Sequence, residues 1–113
     1  AFQGRMAPGT NCADAPVTRN GAPAWLLPQL GDGFTLLCFG DPGVATVGSG
    51  AVQARVLRVG TDLVDAQGVL TERYDGQIGT CYLIRPDQHV AARWRCFEAA
   101  KIEAALMRCL ALH

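Results

Sequence analysis

Long apolar runs are missing from this sequence. No stretch approaches the roughly 18 to 20 residues that a membrane span needs, and Ala1-Phe2-Gln3-Gly4-Arg5 lacks a signal peptide's basic-then-apolar layout. Both absences lead us to expect a soluble, cytoplasmic protein with no membrane partner. An excess of charge is missing too: ten basic residues balance ten acidic ones, which leaves no footprint for neutralising phosphates and argues against nucleic acid as a partner. The five cysteines (Cys12, Cys38, Cys81, Cys96, Cys109) are odd in number, scattered, and nowhere arranged as C-x-x-C. Neither a disulfide framework nor a zinc site is signalled, and buried, reduced thiols acting as small hydrophobes fit the pattern.

Catalytic signatures are equally scarce. Phe39-Gly40-Asp41-Pro42-Gly43 is the nearest approach to a nucleotide-binding turn, yet it fits neither G-x-G-x-x-G nor the P-loop. Gly48-Ser49-Gly50 is not embedded in the G-x-S-x-G of a nucleophile elbow, and no strand feeds it. Only two histidines exist, His89 and the terminal His113, so any histidine-based triad would have to use His89. Its place two residues after Asp87 is explained as well by a cross-strand histidine beside a turn aspartate. Cys38 ends an apolar segment next to Asp41, an anionic neighbour that works against thiolate formation. We therefore expect no catalytic, cofactor-binding or metal site in this chain.

What is present is material for one core. Half of the 113 residues are apolar and 18% are charged, and at this length folding buries roughly two thirds of the unfolded chain's surface. Residues 1–24 carry Pro8, Pro16 and Pro23 among Gly4, Gly9 and Gly21. That spacing forbids a long helix and predicts an extended N-terminal arm, with one domain over residues 25–113. Pro28 limits Ala24 to Gly31 to a short helical turn, anchored to the core by Trp25.

Phe34 to Phe39 is an unbroken apolar run bounded by breakers, which suits a central strand covered on both faces. Ala54 to Val59 alternates as a half-buried strand. The fourteen residues Gly40 to Gln53 between them hold four glycines, long enough for a crossover between parallel strands but allowing only a shortened helix. Asp65 is placed to cap a turn through Val69 to Tyr74, with Val69, Leu70 and Tyr74 facing inward. Two β-rich runs from Thr80 to Trp94 flank Pro86-Asp87 and predict a β-hairpin. Phe97 to Leu112, without Gly or Pro, predicts an amphipathic helix with Ile102, Leu106, Cys109 and Leu110 inward and Glu98 and Lys101 solvated. Arg85, Asp87, Arg93 and Arg95 supply a polar docking surface, and Trp25, Arg85, Asp87, His89, Arg93 and Trp94 are the interface candidates.

The order strand, crossover, strand, helix, β-hairpin, helix is a thioredoxin-like α/β arrangement with a central mixed sheet. Gly33-Phe34-Thr35-Leu36-Leu37, then Tyr82-Leu83-Ile84-Arg85-Pro86-Asp87 with His89-Val90-Ala91 and Arg93, resemble the C-terminal domain of flavin-dependent aromatic hydroxylases, in particular the phenol hydroxylase and 3-(3-hydroxyphenyl)propionate hydroxylase group. Pro8-Gly9 and Asp14-Ala15-Pro16 resemble that family's proline-rich entry, so the likeness spans nearly the whole chain. The resemblance implies a parent enzyme that binds FAD, takes electrons from NADH or NADPH, and inserts one oxygen atom of O₂ into a phenolic ring. It implies that FAD and substrate are held by larger preceding domains, with this domain serving docking or homodimer contacts. Two departures stand out. Gln88 occupies a turn position where the family usually has glycine, and the thioredoxin cysteine pair is absent after Phe39. Two other readings remain: a thioredoxin-like thiol peroxidase or reductase using Cys38, and a free-standing homodimeric interaction domain.

Overall fold

The computed structural model describes residues 2–3, 5–50 and 52–111, Ala111 by its backbone alone, so Leu112 and His113 lie outside the described residues. An N-terminal hairpin pairs β1 (Pro16–Arg19) with β2 (Ala22–Trp25). A single turn of 3-10 helix, Leu27–Gln29, follows with Pro28 in its first turn. The main sheet collects β3 (Phe34–Phe39), β4 (Thr46–Ser49), β5 (Val52–Val59), β6 (Cys81–Ile84) and β7 (Val90–Trp94). The helices are α1 (Val69–Arg73) and α2 (Ala99–Ala111).

The strand order is β4-β5-β3-β6-β7, with β3 and β5 parallel and every other pair antiparallel. This is the thioredoxin-like mixed sheet expected from the sequence, with β3 at its centre. Period-two alternation sorts the side chains of β3 onto two faces. Leu37 and Phe39 join Leu57, Tyr82, Ile84, Leu70 and Tyr74 on one side. Leu36 and Cys38 join Val56, Cys81, Leu83 and the α2 residues Ile102, Ala105 and Leu106 on the other. The spacing of those three α2 residues lays one stripe of the helix on the sheet. Leu110 does not extend the stripe: it is 50% exposed, and Cys109 is half-buried. Near its C-terminal end the helix has run past the sheet surface that could cover them.

Three expectations need correction. The segment between β3 and β5 holds no crossover helix among its described residues; it forms the edge strand β4 instead. Val44, Thr46 and Val47 are β-branched, and Gly48 sits at φ +96° where a Cβ would come within 2.4 Å of the Val52 carbonyl oxygen. Both favour a tight antiparallel return over a helix. The first 24 residues are also not a separable arm. A boundary at 24 falls inside β2, and Met6, Cys12, Ala15 and Val17 are buried in the main core. Asn20 and Gly21 at φ 52° and 76° make the hairpin turn, the left-handed pair that an Asn-Gly dipeptide adopts readily. Finally, Trp25 does not anchor the turn that follows it, since it is 54% exposed.

The N-terminal segment also covers the start of β7. Gly9 N–H donates to the Val90 carbonyl (2.7 Å), Val90 N–H to that of Thr10 (2.9 Å) and Cys12 N–H to that of Gln88 (2.8 Å). Pairing of this kind protects an otherwise open strand edge. The Tyr74 hydroxyl donates to the Ala13 carbonyl (2.6 Å), fastening the same segment to the end of α1. The Asp65 carboxylate accepts from the N–H groups of Leu70 (3.2 Å) and Thr71 (2.8 Å), which satisfies the opening donors of α1 as its sequence position suggests.

Candidate interaction surface

The tip of the β6–β7 hairpin is built from three residues. Pro86 and Asp87 fill the middle of a turn closed by Gln88 N–H to the Arg85 carbonyl (2.9 Å), and Arg85 N–H reaches the His89 carbonyl (2.9 Å). Gln88 is then driven to φ 64°, the left-handed region, with a register shift following in β7. This type I turn plus bulge is the usual way a three-residue loop reverses a strand, and glycine would take the fourth position without strain. Gln88 gains a partner in exchange: its Nε2 donates to the Leu27 carbonyl at 3.0 Å, tying the hairpin tip to the 3-10 turn just beyond Trp25.

Arg85, Asp87 and His89 are brought together on this tip. Arg85 Nη2 donates to Asp87 Oδ2 (2.5 Å), His89 N–H lies 3.3 Å from Oδ1, and His89 Nδ1 is 3.2 Å from the Asp87 carbonyl oxygen. Desolvation opposes ionisation of Asp87, but the Arg85 charge and the His89 contacts outweigh it and hold the carboxyl below its usual range. The pair is exposed enough to contribute little to holding the fold.

Arg93 and Trp94 go elsewhere. Trp94 packs with the α2-side cluster. Arg93 lies over the Phe2 ring, 4.4 Å from its centroid, and its Nη1 is buried without a hydrogen-bond partner among the described residues. Arg95 stacks on the same ring at 3.9 Å and pairs with Asp75 (2.5 Å), while Phe2 meets Tyr82 edge-on. The Gln3 N–H and Arg95 lower the Asp75 carboxyl below its ordinary range. This cluster clamps the N-terminal segment and leaves Arg93 and Arg95 half-buried. Sequence reasoning missed Ile78, which is 97% exposed between Gly76 and Gly79. An isoleucine in a glycine-flanked loop was the available signal.

The thiols are arranged for packing. Cys38 and Cys81 face each other across β3 and β6 with sulfurs 3.6 Å apart. The contact with Cys81, burial, and the charge of Asp41 all push the Cys38 thiol far above its usual range. A fast peroxidatic thiol needs the opposite environment.

Dinucleotide-binding folds cradle the pyrophosphate in a Gly-rich turn that leads into a helix N-terminus; here Gly40 to Gly43 leads into strand β4. The opening amides of α1 are already taken by Asp65. A cleft of about 460 Å³ between Arg5, Met6, Ala13, Glu72 and Arg73 sets a carboxylate among its cations. Among the described residues no group of three His, Cys, Asp or Glu could hold a metal ion, and no helix is long and apolar enough to cross a membrane.

The family described as aromatic-ring hydroxylase, C-terminal, matches residues 5–111. Aklavinone 12-hydroxylase RdmE of Streptomyces purpurascens is 37% identical over 101 residues, which cover 82% of this chain and 18% of that protein. The structure of aklavinone-11 hydroxylase in ternary complex with FAD and aklavinone superposes with TM-score 0.69 at 31% identity, covering 87% of this chain and 20% of that one. The flavin-dependent monooxygenase PieE, solved with FAD and substrate, superposes with TM-score 0.70 at 22% identity over 96% of this chain and 21% of that one, a likeness of fold. This chain spans about a fifth of the length of these relatives.

Proposed function

Because the chain belongs to the aromatic-ring hydroxylase C-terminal family, we propose that it is the docking and dimerisation domain of an FAD-dependent aromatic-ring monooxygenase. The parent takes electrons from NADH or NADPH, activates O₂ on its flavin and hydroxylates a phenolic substrate in the cytoplasm. Its flavin and substrate are held by the remaining four fifths of the protein. One observation carries the reading: the family match runs over residues 5–111, while the same stretch makes up about a fifth of relatives that include an FAD complex.

The docking surface in this proposal is the hairpin tip, Arg85, Asp87 and His89, together with exposed Trp25, to which Gln88 ties it through Leu27. An exposed tryptophan and an arginine are residue types enriched at interface hot spots. Arg93 and Trp94 lie further along β7, on opposite faces of the sheet.

The test uses the full-length protein, assayed with FAD, NADH or NADPH, and either aklavinone or 3-(3-hydroxyphenyl)propionate. Deleting this domain should lower flavin retention, the coupling of NAD(P)H oxidation to hydroxylation, or the oligomeric state measured by light scattering. The double variant Trp25→Ala, Arg85→Glu should reproduce the effect with the fold intact. If deletion changes none of these quantities, the docking role is wrong; if no flavin is retained by the intact protein, the parent assignment is wrong.

A further inference from the structure

The cysteine facing Cys38 makes more of the thiols than the sequence suggested. Phe39 N–H donates to the Thr80 carbonyl and the Phe39 carbonyl accepts from Gly79 N–H, both at 2.9 Å, so the ladder's hydrogen bonds at this end fall on Phe39 and not on Cys38. The adjacent pair, Cys38 with Cys81, is consequently a non-hydrogen-bonded one. Cα atoms in such pairs lie about 4.5 Å apart, inside the range a disulfide spans, which starts near 4.4 Å. The sulfurs already touch at 3.6 Å. Both cysteines line a pocket of about 130 Å³ with Gly40, Asp41, Pro42, Ile78, Gly79 and Phe97. Its polar demand is low, and a molecule of two linked oxygens fits it, since one water in the liquid takes about 30 Å³.

We infer that Cys38 and Cys81 are an oxidation site, converted by a hydroperoxide admitted through this pocket into a disulfide that staples β3 to β6. The sulfur of Cys81 attacks one peroxide oxygen: an S–O bond forms, the O–O bond breaks, and the other oxygen leaves as an alcohol, or as water when the oxidant is hydrogen peroxide. The Cys38 sulfur then attacks the Cys81 sulfenic acid, the S–S bond forms, and water leaves. The dithiol loses two electrons and two protons, and the peroxide is reduced by the same two electrons. Cys81 goes first because the Cys38 thiol lies where it can donate to the Cys81 sulfur, which lowers the Cys81 thiol while raising its partner. Burial makes this a slow, stoichiometric modification rather than turnover. The inference does not depend on the parent being a flavoenzyme.

Trypsin places Cys38 in residues 20–55 and Cys81 in residues 74–93, because Arg85 precedes proline and is not cut; Cys12, Cys96 and Cys109 fall on three other peptides. The native protein is treated with hydrogen peroxide, then unfolded, alkylated and digested. The expected product is a cross-linked 20–55/74–93 species, lighter by two hydrogens than the sum of its parts and abolished by dithiothreitol. Alkylation of Cys38 and Cys81 should fall together, and the cross-link should vanish in both Cys38→Ser and Cys81→Ser. If both cysteines stay fully alkylatable while exposed Cys96 is oxidised, or if Cys38 is found bonded to another cysteine, the inference fails. The wild-type map decides this even if a serine variant does not fold.

Discussion

Replacing Gln88 with alanine and with glycine separates two opposing contributions at the hairpin tip. At φ 64° the Gln88 backbone is in the left-handed region, where a residue with a Cβ pays about 1 kcal/mol relative to glycine. Its side chain recovers something through the Nε2 hydrogen bond to the Leu27 carbonyl at 3.0 Å, worth about 1 kcal/mol for a part-buried neutral pair. Gln88→Ala keeps the strain and loses the bond, so it should destabilise by about 1 kcal/mol. Gln88→Gly loses the bond and relieves the strain, so it should sit near wild type. The gap between the two variants, about 1 kcal/mol, measures the backbone term alone. Urea denaturation with an unchanged m-value reads it directly, and in thermal melts it corresponds to roughly 4 °C for a domain of this size. Alanine proving as stable as glycine would refute the turn assignment; glycine clearly exceeding wild type would mean that the Leu27 bond contributes nothing.

Three further outcomes follow from the packing. Tyr74→Phe strips the Ala13 carbonyl of its donor and should cost about 1–3 kcal/mol, with amides in residues 5–13 losing hydrogen-exchange protection before the sheet does. Gly76→Ala would set a Cβ 2.4–2.7 Å from three atoms of the buried Phe39 ring, an overpacking that should cost about 1–3 kcal/mol; Gly33→Ala, with open space around it, should be close to neutral in the same melts. Asp62, Asp75 and Asp87 are all held below their ordinary values in the folded state. Their contribution is therefore present above the unfolded carboxyl pKa of about 4 and fades as pH falls through the lower folded values. An acid titration of stability should show that loss, and Asp75→Asn should make its slope shallower.

Elements carried by composition were legible in the sequence. The unbroken run Phe34–Phe39 could only be a central strand, and the Pro86-Asp87 pair fixed the hairpin. Asp65 marked the start of α1. Elements decided by tertiary partners were not. Met6, Cys12 and Ala15 look like loop residues among prolines, and their burial depends on a sheet face built from residues far along the chain. The β1–β2 hairpin was readable in Asn20-Gly21, but the prolines at 16 and 23 obscured it; both share the parity of the Thr18–Pro23 pair, where Thr18 N–H turns away from β2 to the Val64 carbonyl, so neither missing N–H costs a ribbon bond. Of the interface candidates, Arg85, Asp87 and His89 met as their spacing suggested. Arg93 is half-buried, with the ring of Phe2, ninety-one positions earlier, packed against it.

At the end of β3 the surroundings oppose a nucleophilic cysteine. A nucleophilic cysteine there would draw on amide donors of a following helix. This chain follows β3 with Asp41, whose Oδ1 accepts from Gly43 N–H (2.8 Å) and whose Oδ2 lies 3.3 Å from Arg58 Nη1. Arg58 is in turn bound by Asp62 at 2.9 Å, so its charge is spent within the loop network. The nearest thiol, Cys38, meets an anionic neighbour, a second thiol and an apolar pocket, and each of the three works against ionisation or fast reaction. With strand β4 in place of a helix, the sheet gains an edge and loses a reactive end. Exposed Ile78 lies beside the thiol pocket at this end of the sheet.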